Sequence, residues 1–185
     1  MTRKLFFLFL LMTLIIFTAA AENQFDLTIQ GGTEITFTPS LTFAEGVPFQ
    51  PAYRGDLEFV YKPDGLGIVA VHLNAGYSYV PTKDSGSIAI PDLQRVEAEG
   101  GLGVHFPMGD ILHLRIFGGA GYYHGFFNGA HGGDFLASGG MMMTIDVMPA
   151  LGISISPRYR LYGHSNPGLL HTLDISLGAT WHIDS

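Results

Sequence analysis

From residue 25 onward, apolar and polar side chains alternate with a period of two. Residues two apart on a strand share a face, so such runs predict strands with one apolar and one polar side. The clearest run is 169–183. His171, Leu173, Ile175, Leu177, Ala179, Trp181 and Ile183 share one face; Thr172, Asp174, Ser176, Gly178, Thr180 and His182 share the other. Run 150–162 sets Leu151, Ile153, Ile155, Tyr159 and Leu161 against Ser154, Ser156, Arg158 and Arg160. Pro157 interrupts that run, and a proline cannot donate to a ladder. Six earlier runs alternate in the same way: 25–37, 55–62, 67–80, 93–106, 111–123 and 135–147. The run 135–147 is the weakest of them. No segment after residue 21 carries a helical period, so the expected class is all-β with eight strands.

The connections carry separate information. Tight turns are expected at Pro63-Asp64-Gly65, Pro107-Met108-Gly109-Asp110 and Met148-Pro149. Longer connections are expected at about 38–54, 81–92, 124–134 and 163–168. Short and long alternate along the chain. In an up-and-down antiparallel meander this puts the tight turns and both chain ends at one end, and the long loops at the other. Outer-membrane barrels have that asymmetry, with short periplasmic turns and longer extracellular loops. Repeats, low-complexity tracts and a second domain are not evident.

The N-terminus reads differently. Thr2-Arg3-Lys4 is followed by an apolar run, 5–17, broken only by Thr13, and then by Thr18-Ala19-Ala20-Ala21. A basic start, an apolar middle and small residues make a secretory leader, with cleavage expected after Ala21. A membrane-spanning helix needs roughly 20 apolar residues, and this run is shorter. The expected organisation is a leader at 1–21 and one barrel domain at 22–185. The chain has no cysteine, which excludes a lipidated cysteine anchor, disulfides and thiolate metal sites.

Loss of the leader removes Arg3 and Lys4. Seven basic residues then face 16 acidic ones, a net charge of −9. Nucleic-acid binders need clustered cations, so nucleic acid is excluded as a partner. Charged residues make up 14% of the chain, below the roughly 25% of soluble domains.

Alternation alone does not say which face points inward. A soluble lipocalin-like barrel turns its apolar face in, around a ligand; a membrane barrel turns it out, into lipid. Three features favour the second. Small residues such as Gly101, Gly103, Gly119, Gly121, Gly152 and Ser154 sit on the polar face, where they suit a crowded interior. Aromatics collect near strand ends, at Phe37, Tyr61, Tyr77, Tyr79, Phe106, Tyr122, Tyr159 and Trp181, where interfacial girdles lie. Beyond the leader, Lys62 and Lys83 are the only lysines.

The segment Ile111-Leu112-His113-Leu114-Arg115-Ile116-Phe117-Gly118-Gly119-Ala120-Gly121-Tyr122-Tyr123 after its Pro-Met-Gly-Asp turn resembles the small outer-membrane barrels OmpA, OmpX and OmpW. So do the leader and the final Leu173-Asp174-Ile175-Ser176-Leu177-Gly178-Ala179-Thr180-Trp181. The resemblance runs over the whole chain after the leader, through unspecific motifs. It implies an eight-stranded antiparallel up-and-down transmembrane β-barrel in the bacterial outer membrane. Such proteins commonly end in an aromatic residue; here Asp184-Ser185 follow Trp181-His182-Ile183.

With the polar face inward, Glu34, Glu58, Arg95, Glu97, Glu99, Arg115, Arg158, Arg160 and Asp174 meet in a lumen that eight strands leave just wide enough for side chains. Buried charges must pair, so the expectation is an Arg/Glu network that plugs the lumen. The competing reading of the same residues is a gated proton or ion path. His105, His113 and His182 share the polar face near the turn end, and three imidazoles can hold zinc. Their spacing matches no zinc motif, and no metal or other cofactor is expected. Some eight-stranded barrels are lipid A deacylases with a motif resembling His-x-Ser-Asn. Here His164 and Ser165 are adjacent and would diverge on a strand, with Asp174 the nearest acid. Ser-Asn-Pro-Gly is also ordinary turn chemistry.

The expected function is a non-enzymatic outer-membrane barrel with a filled lumen, serving structure, adhesion or small-molecule passage. The last role comes from the OmpW resemblance alone. Expected partners are the bilayer with its lipopolysaccharide, the barrel-assembly machinery, and an extracellular partner at the long loops. Two other classes stay open: a lipid A-modifying outer-membrane enzyme, and a soluble periplasmic ligand-binding barrel with Leu173, Ile175 and Leu177 facing inward.

Overall fold

The computed structural model describes residues 24–36, 51–63, 67–81, 92–127, 130–163 and 170–184. It contains eight strands: β1 (Gln24–Thr36), β2 (Ala52–Lys62), β3 (Val69–Val80), β4 (Leu93–Pro107), β5 (Leu112–Phe127), β6 (Ala130–Met148), β7 (Leu151–Tyr162) and β8 (Leu170–Asp184). Each pairs antiparallel with the next in sequence, and β8 returns to pair antiparallel with β1. The result is a closed up-and-down barrel without free sheet edges along the paired spans. The expected leader, 1–21, lies outside the described residues, as do the connections 37–50, 82–91 and 164–169.

The alternation read from the sequence settles into one consistent inside and outside. Along β2 the odd positions Tyr53 and Leu57 are exposed, while Arg54, Asp56 and Glu58 are buried. Leu102 on β4 is 61% exposed and Leu177 on β8 is 62% exposed. The buried side chains are mainly polar or charged. A soluble barrel has the reverse arrangement. The soluble ligand-binding alternative is therefore overturned: Ile175 and Leu177, which it needs inside, face outward. No helix among the described residues is long and apolar enough to cross a membrane, and the spanning elements are strands.

Two boundaries differ from the sequence reading. Strand β2 begins at Ala52, not at residue 55, which lifts Arg54 from an expected loop into the barrel wall. The connection expected at 124–134 is mostly ladder. Tyr123 pairs with Asp134, Gly125 with Gly132, and Phe127 with Ala130, leaving only 128–129 between the strands. The strict alternation of short and long connections fails at this hairpin. Gly125, Gly132 and Gly133 hide the apolar half of the pattern, while ring contacts stabilise the ribbon. His124 packs edge-on against Phe126 at 4.8 Å and lies 5.5 Å from His131.

At the other end the expected turns close the hairpins. Gly109 takes φ 96°, a left-handed conformation that strongly favours glycine, and Met108 N donates to Leu112 O at 2.7 Å. Asp64 and Gly65 of the first expected turn lie outside the described residues. Pro157 is accommodated within β7. Register pairs join Gly140 to Arg158 and Met143 to Ile155, and the ladder lapses between them. There Ser156 Oγ donates to Met141 O at 3.2 Å, so a hydroxyl satisfies a carbonyl at the gap in the ladder.

The outward apolar belt sets an expectation. Leu177→Lys places an ammonium at the middle of β8 and lowers unfolding free energy in bilayers by about 2–4 kcal/mol, whereas Ile183→Lys, near the strand end, changes it by about 0–1 kcal/mol. Urea titration of the two variants in lipid vesicles measures the difference. Equal effects would contradict a lipid-facing belt.

Candidate functional site: a layered polar lumen

The inward side chains stack in layers along the barrel axis. At the loop end, Arg54 is the hub. Its guanidinium donates to Asp56 at 2.6 and 2.7 Å and to Glu97 at 2.8 and 3.0 Å, and reaches Glu34 at 3.5 Å. Arg95 pairs with Glu34, donates to Ser78 Oγ at 2.9 Å, and lies 4.3 Å from the ring centre of Tyr162. The Tyr162 hydroxyl donates to Glu97 at 2.7 Å. Arg160 pairs with Asp174 and lies 3.5 Å from Asp56 and 3.6 Å from Glu97. Each of these charged side chains is at most 2% exposed.

The middle layer is built around Glu58 from β2. Arg115 donates to one of its oxygens at 2.5 Å and Arg158 to the other at 2.9 Å. Arg158 also donates to Glu99 at 3.0 Å, and Ser138 Oγ donates to the same Glu99 oxygen at 2.9 Å. Phe117 faces inward from β5 and lies 4.5 Å from the Arg158 guanidinium and 5.3 Å from that of Arg115. A desolvated guanidinium on an aromatic face gains electrostatic stabilisation that water would otherwise supply. His72 is buried beside Glu58, and its Nδ1 lies 3.6 Å from Oε1. Gly101 makes room for it: a Cβ there would collide with the His72 ring and with Gly118 O.

Below lies a row of hydroxyls on four adjacent strands. Thr28 and Thr180 are 2.9 Å apart, Thr180 and Ser154 2.5 Å, and Ser154 and Thr144 2.9 Å. The turn end is closed by Asp26, Lys62, Asp146 and three histidines. Lys62 meets Asp26 at 2.7 Å. His182 spans Asp26 and Asp146 at 2.8 and 2.9 Å, and His113 reaches Asp146 at 2.8 Å. His105 stacks on His113 with ring centres 5.2 Å apart. A cavity of about 10 Å³ remains between this layer and Arg115, room for about one water.

All nine residues read from the sequence as a lumen network lie inside the barrel, in the loop-end and middle layers. Asp174 is held by Arg160. His164 and Ser165, the other two members of the deacylase-like set, lie outside the described residues. Among the described residues, no group of three or more metal-donor side chains is arranged to hold an ion. His113 and His182 are instead engaged by carboxylates.

The lumen network expected from the sequence leaves out Arg54, Tyr162 and the inward Phe117, and also Asp56 and His72, which alternation puts on the polar faces of their strands. Arg54, Asp56 and Glu58 are spaced by two and share a face, which is the signal that places Arg54 in the wall. Phe117 carries no such signal, because its apolar side chain reads as an outward one.

No known family profile matches the chain, and no curated protein matches it in sequence. Solved structures do match in shape. Ail of Yersinia pestis, solved in complex with the heparin analogue sucrose octasulfate, superposes with a TM-score of 0.55 at 12% identity, over 88% of this chain and 99% of that one. Neisserial surface protein A gives 0.58 at 10% identity, over 86% and 96%. OprG, an outer-membrane protein of Pseudomonas aeruginosa, gives 0.56 at 12% identity, over 89% and 96%. At these identities the likeness establishes the fold: the chain is an eight-stranded β-barrel of the small outer-membrane type.

Glu58 has both oxygens committed to arginines, so its neutralisation takes the carboxylate from buried Arg115 and leaves Arg158 only Glu99. Glu58→Gln is expected to lower unfolding free energy by about 3–5 kcal/mol, the usual effect of removing one partner from a buried pair. Equilibrium urea unfolding in detergent or lipid checks this. Gly101→Val, which fills the space beside His72, is expected to reduce the folded, membrane-inserted fraction sharply, as quantified by protease resistance.

Proposed function

We propose that the protein is a non-enzymatic integral barrel of the bacterial outer membrane, whose lumen is plugged and whose loop end presents the interacting surface. The observation that carries this reading is the filling of the lumen by mutually paired charges. The loop-end and middle layers commit Arg54, Arg95, Arg115, Arg158 and Arg160 to carboxylates within 4 Å. A solute crossing the barrel would have to break several buried pairs at once, each break leaving an uncompensated charge.

In this reading the leader, 1–21, directs export and is removed. Residues 22–185 insert through the barrel-assembly machinery, with lipid and lipopolysaccharide against the apolar belt. The tight turns then face the periplasm. The loop end, with the β5–β6 hairpin and connections 37–50, 82–91 and 164–169, faces outward. Exposed aromatics on that hairpin suit capture of an extracellular partner: Phe126 is 46% and Phe135 50% exposed. No cofactor is required. Engagement of Asp174 by Arg160 favours a structural role for that carboxylate over service as the acid of a deacylase.

Cell fractionation and electrophoretic mobility test the location. The protein is expected in outer membranes, with a mobility that changes on boiling as the barrel unfolds. Recovery in the soluble periplasmic fraction would overturn the reading. Planar-bilayer recordings test the plug: no large, stable conductance is expected from the wild type, and a steady open channel would overturn the closed lumen.

A further inference from the structure

The hydrogen bonds at the turn end fix a protonation state. Asp26 accepts from Lys62 on Oδ2 at 2.7 Å and meets His182 Nδ1 through Oδ1 at 2.8 Å. Asp146 meets His182 Nε2 through Oδ1 at 2.9 Å and His113 Nε2 through Oδ2 at 2.8 Å. All four carboxylate oxygens thus face a nitrogen at hydrogen-bond distance. A carboxylate accepts without a proton of its own, so both ring nitrogens of His182 must donate. Only the imidazolium carries two N–H groups.

We propose that the turn-end mouth of the lumen is a proton-binding site, in which one proton held on His182 ties β8 to β1 and β6. The two carboxylates sit on β1 and β6, and the imidazolium on β8 bridges them. The bridge lies across the β1–β8 ladder that closes the barrel, where Asp26 and His182 are register partners.

The surrounding charges agree with a proton on His182. Lys62 on β2 and a protonated His182 balance Asp26 and Asp146. Arg115 on β5 is paired with Glu58 in the layer above. His72 on β3 lies beside that same Glu58. β7 contributes the neutral Ser154 to the hydroxyl row. His113 donates through Nε2, while its Nδ1 is buried without a protein partner and His113 borders the water-sized cavity. His105 on β4 stacks on the His113 ring at 5.2 Å.

The chemistry gives a sign. An unfolded chain releases an imidazole proton in the ordinary range, near pH 6.5. The folded barrel retains it while both carboxylates accept. The bridge therefore stabilises the barrel fully on the acid side of that range, and its contribution falls as pH rises and the proton is lost.

Nitrogen-15 NMR of histidine-labelled protein, purified from membranes into detergent micelles, tests the assignment directly. Both ring nitrogens of His182 are expected to bear hydrogen at about pH 7; one bare ring nitrogen there would overturn the proposal. Thermal unfolding between about pH 6 and about pH 9 gives the second test. As pH rises, the unfolding temperature of the wild type is expected to fall by several degrees relative to that of His182→Gln. Equal slopes for the two proteins would overturn the proposal. If His182→Gln does not fold, the spectrum of the wild type decides alone.

Discussion

The structure depends on pairing charge inside a cylinder too narrow to hydrate it. Eight strands leave a lumen that side chains fill, and the described residues place six arginine or lysine side chains and eight carboxylates in it, from Asp26 and Lys62 at one end to Glu34 and Arg95 at the other. An isolated ionised group there would lose its water without replacement. Glu58 is the simplest case. It has no exposure, and each of its oxygens meets a different guanidinium. Removing either arginine leaves one of those buried oxygens without its guanidinium donor.

That requirement reaches outward to the wall. Large inward side chains fit only where the facing residue is small, which is why Gly101 lies beside His72 and hydroxyl residues line the strands below. The outer face answers to a different solvent. Leu57, Leu102, Ile153 and Leu177 are exposed on strands whose neighbouring residues are polar or glycine. Water would penalise that belt, and hydrocarbon accepts it. The inversion of inside and outside is thus one decision made residue by residue by strand alternation, with the charges forced inward and the apolar groups outward.

Much of this was legible in the sequence, because period-two alternation reports faces directly. The eight strands, their order and most of the charged lumen residues follow from spacing alone. The failures have physical causes. Arg54 falls in the connection expected at 38–54, yet its spacing from Asp56 and Glu58 puts it on the inner face. The β5–β6 hairpin falls in the connection expected at 124–134, because glycines carry no polarity and so erase the pattern. Phe117, Leu136 and Met142 point inward although their composition says outward. Phe117 does so because it serves guanidinium groups, through the face of its ring, in a role that hydrophobicity does not encode. Which arginine meets which carboxylate depends on the stagger of neighbouring strands, and that is set by closure of the whole ring.

The ladder between β1 and β8 joins residues near opposite ends of the chain: Gln24 pairs with Asp184 and Thr36 with Thr172. Every other ladder joins strands adjacent in sequence and can form as a local hairpin. The last seam cannot. Its two edges meet only after the intervening six strands are aligned, so loop-closure entropy concentrates in one step. Before that step Asp26, Glu34, His182 and Asp174 stand on open edges, and their final partners across the lumen are not yet enclosed. Completion of the wall and drying of the interior are therefore the same event. A chain stopped one strand short would be an open sheet with wet charges along it, and the cooperativity of the barrel resides in that final zip.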